Sequence, residues 1–427
     1  MRSKLSVNLG NLLLAMSEVL DIANPSFAQH QQRTAFIALE IARCANLEKE
    51  IVEDVFAAAL LHDIGAVSVE EKMALQNFES DDENIHAIRG AILLEQTPWF
   101  RKLAKIIKNH HRKWSDWDDD IKNPIVLMSQ IILLSDYVER LVDRNKYILY
   151  QTDDIIEKIK GFSGTEINSD IVGCFIEVSK REEFWLDLVS VKLYKMLEHG
   201  GPYRNEEIGL DGIMLISDLY REIIDFKSRF TATHTSGVSA CAEKMSSLYG
   251  LTDLEVSLMK ISGNFHDMGK LVIPNSILEK PGKLTKYEFA VVRCHPYYTY
   301  YILDSIGGLD QVAKWAAYHH EKLDGSGYPF HCKAAEIDTG SRIMAVADIF
   351  TAISEDRPYR KGMDRRTAYK VIKEQSDKGL IDGRFVDLLF DNFDSISTYV
   401  KEKQSEAKDF YKKHFSKNIL KDEYNVS

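Results

Sequence analysis

Two series of histidine and aspartate, laid out at nearly the same intervals in the two halves of the chain, constrain its fold more than any other feature. The first half holds His30, His62-Asp63, His86, His110-His111 and Asp136; the second holds His234, His266-Asp267, His295, His319-His320 and Asp348. Counted through the second histidine of each pair, the gaps are 32, 24, 25 and 25 residues, then 32, 29, 25 and 28. Ten of the 13 histidines fall into this double series, and the flanks agree: AALLHDIGAV beside SGNFHDMGKL, ILLSDYVERLV beside MAVADIFTAIS. Self-similarity at such a period reads as a duplicated domain.

The repeat unit is helical. Glycine and proline are sparse, at 23 and 9 in 427 residues, and stretches such as TAFIALEIARCANL, DVFAAALLHDI, QVAKWAAYHH and SRIMAVADIFTAI place apolar residues at helical spacing. Thr285 and Glu288 stand at capping-box spacing after the turn-forming EKPGK, which predicts a helix start there. HGGPYRNEEIG (199–209) and GFSGTEINSD (161–170) read as connections, the first as a domain boundary separating residues 1–200 from 201–427. The stretch from Lys401 onward reads as a polar helix fraying into a tail.

A net charge of −11 argues against a DNA- or RNA-tracking surface, which needs many exposed cations; a small phosphate ligand needs only a local cationic pocket. The longest apolar runs fall short of the roughly 20 residues that cross a bilayer, and the N-terminus lacks a signal-peptide cleavage pattern. The five cysteines form no CxxC pair and read as reduced residues, so a cytoplasmic protein free of the membrane is expected.

Histidine mixed with carboxylate suits first-row divalent metals, and a carboxylate can bridge two ions. On a helix, neighbours such as His266 and Asp267 project about 100° apart, so one turn can address two metal positions. Lys270, at i+4 from His266, would share its face if the helix ran on past Gly269. A single buried histidine is usually a hydrogen-bonded core residue. Seven such positions at matched spacing, twice over, are much harder to attribute to packing.

From about residue 209 to 400 the chain resembles the HD-GYP phosphodiesterases, through His234, HDMGK (266–270), VIPNSILEKPGKLT (272–285), HP at 295–296, HHEKLDGSGYP (319–329), Asp348 and DRPYRKG (356–362). The resemblance implies an all-α chain of two tandem HD-superfamily domains, with a degenerate, regulatory or structural HD domain over 1–200 and a catalytic HD-GYP domain over 201–427. It implies two divalent ions, Fe or Mn, held by His234, His266, Asp267, His295, His319, His320 and Asp348, with Asp267 as the bridge. Lys270 would bind the phosphate or assist the leaving oxygen, and Tyr328, Arg357 and Arg360 would contact substrate. The implied reaction opens a cyclic dinucleotide. The tandem layout is similar to the subgroup acting on 3′,3′-cyclic GMP-AMP, with cyclic di-GMP as the other substrate. Contact between the two HD domains is expected, and a homodimer is admitted.

Two positions depart from the family pattern. Three-metal members carry an acidic ligand four residues before the first histidine; here that residue is Phe230, so two ions are expected rather than three. The family's HPxxG appears as HPYYT, with Thr299 in place of glycine. The first half keeps every ligand type but has Ala66 opposite Lys270, Arg112 opposite Glu321, and WSDWDD in place of DGSGYP. The competing readings are an HD nucleotidase acting on linear nucleotides and a non-catalytic adaptor that binds the cyclic dinucleotide.

Overall fold

A computed structural model describes residues 5–21, 29–66, 68–76, 84–227, 233–355 and 361–415. The chain divides into two compact units, one comprising Asn8–Ile208 and the other beginning at Gly209. Both are helical. Among the described residues, the one sheet is a two-stranded pairing of Ser6–Asn8 with Glu207–Gly209. No described helix is long and apolar enough to cross a membrane.

In the first unit, helix His30–Cys44 packs against Lys49–Leu61 and Pro124–Leu141, while Asn84–Glu95 packs on Arg101–Lys108. In the second, His234–Tyr249 packs against Asp253–Phe265 and Thr339–Ser354, while His295–Ile306 packs on Asp310–Ala317. These pairings match one for one. Their interfaces are small and apolar: every residue from Val55 to Leu61 is buried, which lets that helix sit inside its unit rather than on its surface.

Local sequence sets the helix starts. Thr285 and Glu288 form the expected capping box and open helix Lys286–Val292; Thr252 and Glu255 form a second one ahead of Asp253–Phe265. Asn123 caps Pro124–Leu141 with proline at its first turn.

The HD dipeptides fall where a helix stops. Helices Lys49–Leu61 and Asp253–Phe265 end one residue before His62 and His266. The condition for Lys270 to share the face of His266, a helix running on past Gly269, is therefore not met: Met268–Val272 is a short 3₁₀ segment. The reason is a close approach. A Cβ at Gly269 would lie 2.0 Å from the carbonyl oxygen of His295, and one at Gly65 would lie 2.1 Å from that of His86. Glycine at these two positions lets the HD turn press against the helix that carries the third histidine.

Candidate metal centre

All of the histidine ligands expected in the second unit sit at helix ends. His234 begins helix His234–Tyr249, His295 begins His295–Ile306, and His319 and His320 lie on the 3₁₀ turn after Asp310–Ala317. Asp348 projects from the middle of Thr339–Ser354. The packing brings these ends together into two clusters, His234/His266/Asp348 and His295/His319/His320, each with its ligand atoms within 4.8 Å of one another.

Asp267 lies between the clusters and turns one oxygen to each. Its Oδ2 is 3.3 Å from His266 Nε2 and 3.9 Å from His234 Nε2. Its Oδ1 is 3.4 Å from His295 Nε2 and 4.0 Å from His319 Nε2. This is the arrangement of a bridging carboxylate.

Backbone carbonyls set the orientation of three of the imidazoles. Nδ1 of His266, His295 and His319 faces the carbonyls of Gly263, Val292 and Ala316 at 2.7, 2.8 and 2.6 Å. A ring that spends its N–H on a backbone carbonyl presents a lone pair at Nε2. His295 Nε2 and His319 Nε2 then meet at 3.2 Å as two acceptors with no proton between them. His266 Nε2 and Asp267 Oδ1 are buried without a hydrogen-bond partner. Two nitrogens bound to one ion at about 2.0–2.1 Å lie roughly 3.0–3.4 Å apart, so a divalent ion fits this donor set where protons do not.

Charge agrees with geometry. Burial pushes His295 and His319 down to about 3 and about 4, which keeps both neutral and available to a metal. Burial alone would raise Asp267, but His266 and Lys270 outweigh it and hold the carboxylate well below its ordinary range. His234 goes the other way: burial disfavours its charged form, yet Asp348 and Glu355 raise it to about 9.

Lys270 donates to Asp267 Oδ2 at 2.5 Å and is 18% exposed, so the ammonium lies at the edge of the centre rather than on a continued helix face. Tyr328 places its ring 4.9 Å from that of His320. Together with His319, His320 and Asp348 it lines a cavity of about 260 Å³. Arg357 and Arg360, and Phe230, lie outside the described residues.

Four residues beyond the expected set surround the centre. Thr299, fully buried, accepts from the N–H of Gly269 and donates to the carbonyl of His266, bracing the HD turn. Glu321 accepts the N–H groups of Phe330 and Cys332 at 2.7 and 3.0 Å, tying the DGSGYP loop to the histidine pair. Gly327 belongs to the same joint, since a Cβ there would meet Lys322 N at 2.4 Å. Glu355 lies 3.5 Å from His234 Nδ1, two helical turns beyond Asp348. Acidic residues at i+3 or i+7 from a ligand aspartate are the signal that would have found it, because such positions share a helix face.

Comparison with known proteins gives two matches to the HD domain family, over residues 27–141 and 218–385. The 3′3′-cGAMP-specific phosphodiesterase 1 of Vibrio cholerae is 29% identical over 401 residues, covering 91% of this chain and 92% of that protein. The cyclic di-GMP phosphodiesterase response regulator RpfG of Xanthomonas campestris is 37% identical over 183 residues, covering 41% of this chain and 48% of that protein. In fold, the chain is similar to a solved cyclic GMP-AMP specific phosphodiesterase of V. cholerae, with TM-score 0.63 and 22% identity over 90% of this chain and 97% of that one.

Proposed function

Because the chain belongs to the HD-domain family, with two such domains in tandem and the second of HD-GYP type, we propose that it is a metal-dependent phosphodiesterase that opens a cyclic dinucleotide to the linear form. The favoured substrate is 3′,3′-cyclic GMP-AMP, with cyclic di-GMP as the alternative. Catalysis belongs to residues 201–427, and residues 1–200 have a regulatory or structural role. The observation that carries this reading is Asp267, which turns one oxygen to each of two imidazole clusters beside an open cavity. The names of relatives that match along most of the chain support the choice of substrate.

His234, His266, Asp267 and Asp348 would hold one divalent ion, and His295, His319, His320 and Asp267 the other, with Fe and Mn the best suited to this mixture of imidazole and carboxylate. Such a pair, when bound, supplies an acidified water and charge stabilisation at phosphorus. Asp267 remains ionised between the clusters. The backbone carbonyls of Gly263, Val292 and Ala316 fix the tautomers and ring planes. Lys270 offers a cation to the phosphoryl oxygens as negative charge builds there. Tyr328 and Lys322 line the cavity where the nucleotide would lie. All five cysteines are free thiols, which fits the reducing cytoplasm proposed as its location.

The test is chromatographic product analysis after incubation with Fe(II) or Mn(II) and each cyclic dinucleotide separately. Linear product, faster from the mixed dinucleotide, is expected, and His266→Ala with Asp267→Ala should abolish it. Absence of linear product from either substrate in the metal-loaded protein would overturn the assignment.

A further inference from the structure

We propose that the first half also holds a pair of divalent ions, in a centre that Arg140 and Lys72 close to substrate. The sequence assigns the first half a regulatory or structural role and leaves its histidines either to bind a structural metal or to satisfy a buried polar core. The geometry is that of a complete donor set.

Asp63 repeats the bridging pose of Asp267. Its Oδ2 is 3.4 Å from His62 Nε2 and 3.5 Å from His30 Nε2, and its Oδ1 is 3.1 Å from His86 Nε2. Asp136 Oδ1 is 3.6 Å from His30 Nε2 and 4.0 Å from His62 Nε2. On the far side of Asp63, His86 Nε2 lies 3.2 Å from His110 Nε2 and 3.1 Å from His111 Nε2. His86 Nε2 thus faces a carboxylate oxygen and two imidazole nitrogens at once. One proton on His86 Nε2 cannot serve all three neighbours; a cation among them can. These separations again match two nitrogens sharing one ion at bonds of about 2.0–2.1 Å.

Proton placement supports the same conclusion. Nδ1 of His62 faces Ala59 O at 2.8 Å and Nδ1 of His110 faces Ile107 O at 2.6 Å, so both rings turn lone pairs inward. His62 Nε2 is buried with no hydrogen-bond partner. Glu139, fully buried, lies 2.6 Å from His30 Nδ1, a carboxylate supporting a ligand histidine from behind.

The halves differ outside the donor set. Arg140 donates to Asp136 Oδ2 at 3.0 Å, the outer oxygen, and leaves Oδ1 facing the imidazoles. Its other nitrogen reaches the carbonyl of Leu75. Lys72 reaches the carbonyl of Leu20. Together with Leu75, these side chains roof a cavity of about 20 Å³, room for about one water. The second-half residue four beyond its aspartate is Ala352, which lines the 260 Å³ cavity. The first centre therefore has the ligands for metal and no space for a nucleotide, which assigns its ions to holding helix ends together.

Metal content of the full chain tests this, measured by plasma mass spectrometry after Mn(II) loading and desalting. The wild type should carry about four ions and H266A/D267A about two, one for each first-half cluster. If the wild type carries no more than two and H266A/D267A carries none, the proposal is overturned. The wild-type count stands by itself should the double variant fail to fold. Desalting through EDTA tests the closure. The ions remaining in H266A/D267A should survive it, and adding R140A should cause their loss. Loss with Arg140 intact, or retention without it, would overturn closure by Arg140.

Discussion

The hydroxyl of Thr299 accepts a hydrogen bond from the backbone N–H of Gly269 at 3.0 Å and donates one to the carbonyl of His266 at 3.2 Å. It thereby joins both sides of the HD turn to the helix that begins at His295. Thr299→Val keeps the shape and removes both bonds, leaving buried backbone groups unpaired at a cost of about 1–3 kcal/mol. The expected result is a Tm lower by several degrees and weaker Mn(II) binding, with Thr299→Ser close to wild type. Equal thermal unfolding of Thr299→Val and wild type would show that the clip contributes nothing.

Glu321 makes a comparable joint on the other side of the centre. Its carboxylate is 3% exposed and accepts two loop N–H groups, so Glu321→Ala strands both donors and frees the DGSGYP loop from the histidine pair. Hydrogen exchange should accelerate at Phe330 and Cys332 in this variant, and KM for the cyclic dinucleotide should rise more than kcat falls. Unchanged exchange at these two amides would contradict the assignment.

What could be read from the sequence divides by the kind of contact involved. The clustering histidines and aspartates are legible because side chains able to bind metal are few in type and here repeat at matched intervals. Thr285 was legible because a capping box is local. Thr299, Glu321 and Glu355 were not, because their partners are groups that only the tertiary fold brings near. Thr299 stands where the first half has Gly90, and the sequence shows this only as a departure from a pattern. The place of Lys270 hung on a related contact: it would share the face of His266 only on a continued helix, and the close approach of Gly269 to the His295 carbonyl is incompatible with one. Nothing in the sequence singles out Arg140, whose guanidinium reaches Asp136 from one turn further along the same helix.

Glu222 gives a pH signature separate from the metal centre. Burial, opposed by Arg221 and reinforced by Asp218 and Asp225, raises its carboxyl to about 7. A carboxyl whose folded pKa lies above its unfolded value favours the native state when protonated, so stability falls as pH rises from about 4.5 to about 7. Glu222→Gln removes that loss. Its Tm should exceed the wild type's by a few degrees near pH 8 and converge with it near pH 4. A difference in Tm that is the same at both pH values would rule out titration of Glu222 as the cause.

Lys270 separates chemistry from architecture. Its ammonium contacts Asp267 Oδ2 in the structure, yet the first half holds its Asp63 in the same pose with Ala66 at the matching position. The lysine is therefore not needed to orient the bridging carboxylate. Its loss should be felt where negative charge develops during phosphoryl transfer, and removing one such stabilising group costs about 10²–10³ in kcat. Lys270→Ala is expected to fall by that factor while retaining wild-type Mn(II) content and thermal stability. A parallel loss of bound metal would instead make Lys270 a positioning residue for Asp267, and the drop in kcat would follow from an incomplete centre.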